Sequence, residues 1–118
     1  MKLTKQQAIN KIVAYFNKYG WDKRLIMMYS DGVVCRCAIG TLLNDEQHYF
    51  LRSNGLNKRT IDRVLAFDLF TELRTVNNDE FLMKIQSIND VNESNADFID
   101  YLATFCRLEN LTIPEVKL

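Results

Sequence analysis

Two cysteines separated by one arginine, Cys35 and Cys37, offer the most reactive side chains of this sequence. Helical spacing begins at Ala38 and places Cys37 near a helix N-terminus. At that position the helix amides and the charge of Arg36 would stabilise a thiolate. The pattern therefore admits a cysteine-dependent enzyme or a thiol redox protein centred on Cys37, with His48, the single histidine, as its base.

A packing role competes with catalysis at Cys37. Free cysteine is among the most buried residue types, and a tight junction between a strand and a helix needs small residues. Nothing in the sequence places His48 beside Cys37. We favour packing and predict no catalytic residue, which leaves Cys37 and His48 as weak candidates.

No metal and no cofactor are predicted. The spacing of Cys35 and Cys37 differs from the C-x₂₋₄-C pairs of structural zinc sites, and Cys106 lies far along the chain. The glycines are isolated and form no phosphate-binding loop. Nucleotide chemistry therefore has no support.

A turn signal must position the two cysteines. Asp31-Gly32 stands between the apolar runs 25–29 and 33–35, and Asp-Gly favours a tight hairpin turn. We predict one small β-hairpin near residues 25–36, followed directly by a helix over 38–43.

Helical periodicity dominates the remaining sequence. Apolar residues recur at helical spacing in 4–19, in a short segment after Asn44, in one or two helices over 58–75, and in two helices after residue 78. Thr4, Asn44 and Ser94 are the expected N-caps, and Trp21 is expected in the core. The fold class is mainly α (α+β): a compact bundle of about five or six short helices with one small hairpin, forming a single domain over 1–118.

Composition places the chain among ordinary globular proteins. Of its 118 residues, 47% are hydrophobic and 25% are charged, and no apolar run approaches membrane-spanning length. The lysine-rich start lacks the apolar core of a signal peptide, and an odd number of cysteines favours reduced thiols. We expect a cytoplasmic protein without membrane partners.

The net charge of zero conceals a gradient along the chain. Residues 1–43 carry seven basic and two acidic residues, whereas 79–118 carry three basic and eight acidic ones. The acidic end would favour a basic partner surface, so its acidic residues are the predicted partner-binding residues: Asp79, Glu80, Asp90, Glu93, Asp97 and Asp100. Two alternatives remain: the two ends neutralise each other, or the basic residues 2–36 bind nucleic acid directly, which we disfavour.

Residues 31–46, DGVVCRCAIGTLLNDE, resemble a group of small, poorly characterised bacteriophage and prophage proteins whose core reads G-x-x-C-A-I-G-x-L-[IL]-x-D-E. A second segment of the group, L-Q-x-I-H-D before a last helix, is similar to residues 85–90, IQSIND. Asn89 stands where the group has histidine, so any pairing of that histidine with the cysteine is lost in this chain.

The resemblance implies a function as well as an origin. Such phage-borne accessory proteins commonly bind and disable host machinery, including CRISPR and other defence systems. It implies a non-enzymatic inhibitor of a host protein, acting in the cytoplasm of the infected cell, and the partner could be a nucleic-acid-binding defence complex. A small acidic domain can occlude a basic nucleic-acid channel without an active site.

Overall fold

The computed structural model describes residues 3–73 and 79–118, without the side chains of Thr71 and Asp79. Within these residues the chain forms five α-helices: α1 (Lys5–Tyr19), α2 (Asp45–Ser53), α3 (Ile61–Val64), α4 (Asp79–Val91) and α5 (Asn95–Leu108). Three 3₁₀ segments connect them, over Trp21–Lys23, Ile39–Leu42 and Asp68–Leu73. The prediction of a mainly helical fold is confirmed.

Local capping signals set the helix boundaries. Thr4 and Gln7 form a reciprocal capping box at the start of α1, and Asn44 forms the same motif with Gln47 at the start of α2. The side chain of Ser94 accepts a hydrogen bond from an amide of the first turn of α5. The three predicted N-caps are thus confirmed.

One hydrophobic core joins these elements. Helices α1, α4 and α5 each bury an apolar stripe in it, as do the shorter elements. Trp21 is 5% exposed and lies between the rings of Phe16 and Phe98, with centroid separations of 5.1 Å and 6.2 Å. Its predicted core position is confirmed. A Cα radius of gyration of 13.1 Å is close to that expected for a folded chain of this length.

The predicted β-hairpin near residues 25–36 is wrong. In the described part of the chain, isolated bridges replace it, between Arg24 and Arg36 and between Ser30 and Arg36. The turn itself forms: Gly32 has φ of 89°, and the Asp31 carboxylate accepts hydrogen bonds from two backbone amides that follow it. The flanking residues do not extend this turn into a ladder.

Distant partners explain why no ladder forms. The Tyr29 amide donates to the carbonyl of Asn57 at 3.1 Å, and the Met27 amide donates to the Asp90 carboxylate at 2.9 Å. Because each backbone amide needs a partner, these bonds remove the donors that hairpin strands would exchange. Residues 24–38, between two 3₁₀ segments, therefore form what we call the irregular loop.

Two further helical predictions need correction. The helix predicted over 38–43 is a 3₁₀ segment of four residues, Ile39–Leu42. The region 58–75 contains the single turn of α3 and the 3₁₀ segment Asp68–Leu73, while residues 74 and 75 lie outside the described part. Across residues 3–73 and 79–118, no helix combines the length and apolarity needed to cross a bilayer.

Candidate functional site

Cys37 is a core residue. Its side chain is 2% exposed, and its Sγ accepts a hydrogen bond from the Gly40 amide at 3.3 Å. Burial raises the pKa of this thiol to about 12. A protonated, inaccessible thiol is a poor nucleophile. Cys37 therefore lies in the core, where the packing interpretation expects it.

His48 is also buried, with 2% of its surface exposed. Its Nε2 lies 2.8 Å from the carbonyl oxygen of Gly40, whereas Nδ1 has no hydrogen-bond partner among the described residues. Burial, reinforced by the nearby charge of Arg36, lowers the pKa of His48 to about 4. The imidazole is therefore neutral at pH 7, and Nε2 donates its proton to Gly40.

Gly40 separates the two candidates. Cys37 bonds to its amide and His48 bonds to its carbonyl, and within residues 3–73 and 79–118 no hydrogen bond joins the two side chains. A Cβ at position 40 would overlap the carbonyl oxygen of Tyr29. The close approach of these backbones therefore requires glycine.

Asn89 is fully buried. Its Oδ1 accepts a hydrogen bond from the Ala38 amide at 3.0 Å, and its Nδ2 donates to the Leu25 carbonyl at 2.8 Å. Position 89 thus lies beside the residue that follows Cys37. An amide cannot act as a general base, so here the position fastens the irregular loop to α4.

Arg24, which in the sequence is only one of the basic residues of positions 1–43, holds several elements together. Its guanidinium donates to the carbonyl oxygens of Asn89 and Asn92 and to the side chain of Asn95, and it lies 4.4 Å from the ring centroid of Phe98. It thereby satisfies carbonyls at the C-terminal end of α4. No local signal could reveal this role, because its partners lie 65 or more positions away.

The predicted partner-binding residues separate into groups. Asp90 is half-buried and accepts hydrogen bonds from Met27 and Asn89, so its role is structural. The side chain of Asp79 lies outside the described part. Glu80 is exposed at the start of α4, about 16 Å along the helix axis from the end of α4.

Three exposed carboxylates remain near the α4–α5 connection. We call Glu93, Asp97 and Asp100 the acidic surface. Within the described ranges, none of the three forms an ion pair. Tyr101 follows directly and is 58% exposed, and Val91 is 74% exposed. The acidic surface thus combines unpaired negative charge with exposed apolar groups.

Several basic residues of the first 43 positions are engaged in ion pairs or hydrogen bonds. Lys5 pairs with Glu109 at 3.7 Å, and Arg36 pairs with Asp45 at 3.3 Å. Arg24 caps α4, while Lys2 lies outside the described residues. The Lys5–Glu109 pair therefore joins the two ends of the sequence, whereas Lys11 and Lys18 are exposed and form no ion pair within residues 3–73 and 79–118.

No metal centre is formed by the described residues: no group of three or more histidine, cysteine or acidic side chains converges there. Cys37 and Cys106 are buried in the core, and Cys35 is half-buried in the irregular loop. Burial also raises the pKa of Cys106 to about 11.

No protein-family model, curated protein or solved structure matches this chain.

Proposed function

We propose that the protein is a non-catalytic binding protein whose acidic surface covers a basic surface of a partner protein. Following the resemblance, the proposal is that the chain is phage-encoded, acts in the host cytoplasm and inhibits a host defence protein such as a CRISPR effector. The resemblance is the basis for the proposed class of partner. The geometry of the acidic surface is the basis for the proposed mode of binding.

The observation that carries the binding mode is that Glu93, Asp97 and Asp100, at the α4–α5 connection, are exposed and form no ion pair with any described residue. Charges of one sign attract an oppositely charged surface and accelerate encounter. Tyr101, beside them, supplies the exposed aromatic side chain that commonly contributes most to an interface.

A cysteine-dependent activity is the second candidate, and the surroundings of Cys37 oppose it. The thiol is buried and has a raised pKa, and His48 is neutral and bonds to Gly40 rather than to sulfur. Direct nucleic-acid binding is the third candidate. It loses support because Lys5 and Arg36 form ion pairs and Arg24 donates hydrogen bonds to backbone carbonyls.

Charge reversal tests the binding mode. A partner is isolated from a bacterial lysate with the wild-type chain, and its affinity is then measured for the double variant Asp97→Lys and Asp100→Lys. We expect the affinity of the partner for this variant to be at least about tenfold lower than for the wild-type chain. Added salt should lower the affinity of the partner for the wild-type chain.

The matched control is the double variant Glu46→Lys and Glu115→Lys. It makes the same change in net charge at exposed positions, and Glu46, like Asp97, lies in the first turn of a helix. The control should bind as the wild type does. Equal affinity and equal salt dependence for wild type and the Asp97/Asp100 variant would refute the acidic surface as the binding site.

A further inference from the structure

A groove of about 510 Å³ lies between the irregular loop, the start of α3 and the outer face of α4. Its volume is in the range of sites that enclose a small ligand or a few side chains. Three of the four methionines of the chain line it: Met27, Met28 and Met83. Methionine adapts its shape to different apolar partners and is frequent at binding surfaces of this kind.

The exposed methionine of the loop is held in an unusual conformation. Met27 has φ of 61°, which side chains other than glycine rarely adopt, and its side chain is 67% exposed. The Asp90 carboxylate accepts the Met27 amide and so stabilises this conformation. Met83, 43% exposed, and Val91, 74% exposed, continue the apolar surface along α4.

The floor of the groove is fixed by a hydrogen-bond network. The buried Tyr29 hydroxyl donates to the Arg59 carbonyl at 2.7 Å and accepts from Gln86 at 2.9 Å. Gln86 also accepts the amide of Ile61, the first residue of α3. Because these bonds join the loop, α3 and α4, the groove is formed before any ligand enters, which lowers the entropic cost of binding.

Four charged residues line the groove, and they differ in how far they are engaged. The Asp90 carboxylate accepts hydrogen bonds from Met27 and Asn89. A hydrogen bond from Thr60 lowers the pKa of Asp62.

The two cationic side chains of the groove, Lys58 and Arg59, are free to pair with a ligand. Lys58 and Arg59 are exposed, and neither pairs with a carboxylate anywhere in residues 3–73 and 79–118. Asp62 is also exposed, so the lining carries two positive and two negative charges, and Lys58 and Arg59 are the groups that can pair with a carboxylate of a ligand.

We propose that this groove docks a peptide segment of a partner protein that presents a large apolar side chain beside a carboxylate. The apolar side chain packs against Met27, Met83 and Val91, and the carboxylate pairs with Lys58 and Arg59. Val91 borders both the groove and the acidic surface, but the groove would take a ligand that carries a carboxylate, whereas the acidic surface would take a basic one. The groove proposal can therefore be tested independently of the proposed function.

Three fluorescein-labelled peptides test the groove. The first carries Leu-Phe flanked by glutamates, the second replaces the glutamates by lysines, and the third replaces Leu-Phe by Ser-Gly. Binding is followed by anisotropy, and by NMR of the wild-type chain labelled at its methionine methyl groups. We expect the first peptide to bind at least about tenfold more tightly than the other two and to shift the signals of Met27, Met28 and Met83.

Variants separate the groove from other surfaces. Met83→Glu and Arg59→Glu should each weaken binding of the first peptide by about tenfold or more, whereas Tyr49→Glu, at an exposed position outside the groove, should leave it unchanged. The double variant Asp97→Lys and Asp100→Lys should also leave it unchanged.

Several results would overturn the proposal. They are no binding of the first peptide at about 1 mM, equal or tighter binding of the lysine peptide, and binding without shifts of the groove methionines.

Discussion

Gly40 explains why Cys37 and His48, two of the most reactive side chains of the sequence, lie in the core. Its amide bonds to Cys37, its carbonyl bonds to His48, and it has no room for a Cβ beside the Tyr29 carbonyl. Cys37 and His48 therefore both stabilise the place where the backbone of Gly40 packs against the backbone of Tyr29. The composition and spacing around Cys37 could indicate packing, but they could not show that His48 bonds to the same glycine.

Thiol accessibility follows from this packing. Cys35 is half-buried, whereas Cys37 and Cys106 are buried and have pKa values raised to about 12 and about 11. We expect a small alkylating reagent or Ellman's reagent to modify one thiol of the native chain and all three after unfolding.

Cys35→Ser provides the control for this measurement, since it should abolish the reaction of the native chain. A reaction of Cys37 in the native chain at a rate comparable to that of a free thiol would contradict its assignment to the core.

The pH dependence of stability should report His48. Its pKa of about 4 lies below the ordinary value of 6.5, so between these values the unfolded chain binds a proton that the folded chain does not. The free energy of unfolding should therefore fall as the pH drops from about 6.5 to 4, by up to about 3 kcal/mol from this residue.

Urea unfolding at pH 7.0, 5.5 and 4.0 measures this change, and His48→Gln should remove much of it, because glutamine can donate to Gly40 without titrating. An NMR titration of the single histidine gives its pKa directly. A value near 6.5 in the folded chain would refute the assignment.

At the scale of elements, the irregular loop is held in place by hydrogen bonds to α4. Asn89 bonds to Leu25 and Ala38, and Arg24 reaches back from the loop to the end of α4. The helix signals at Thr4 and Ser94 are local, so the sequence could reveal them. The hairpin prediction failed because the donors of the loop bond to residues far away in the chain, which no local pattern encodes.

Arg24 should contribute more to stability than a surface cation. Arg24→Ala would leave carbonyl oxygens at the end of α4 without their donors, and should lower the free energy of unfolding by about 2–4 kcal/mol. Arg24→Lys should restore part of it, because an ammonium group keeps the charge but cannot span the same set of acceptors.

Amide hydrogen exchange should show where Arg24→Ala acts, with faster exchange in the last turn of α4. The neighbouring Lys23→Ala, whose side chain forms a surface ion pair with Asp22, should cost less than about 1 kcal/mol. Equal effects of Arg24→Ala and Lys23→Ala would contradict the capping role.

For the whole molecule, the charge gradient of the sequence gives an incomplete picture of its surface. Lys5 forms an ion pair with Glu109, and Asp90 accepts a hydrogen bond from the irregular loop, yet the acidic surface forms no ion pair among the described residues. The sequence could identify the acidic end, but it could not separate structural from exposed carboxylates. That separation depends on the loop lying against α4.

The central claim is that this protein acts through an exposed surface and not through its buried thiol. In the most direct measurement, a partner is first captured with the wild-type chain. Its affinity is then measured for two variants: Cys37→Ala, and the double variant Asp97→Lys with Asp100→Lys. We expect Cys37→Ala to bind as the wild type does under conditions where it is folded, and the charge reversal to weaken binding by at least about tenfold. Loss of binding or of activity in folded Cys37→Ala, with full binding by the charge-reversed chain, would contradict the claim.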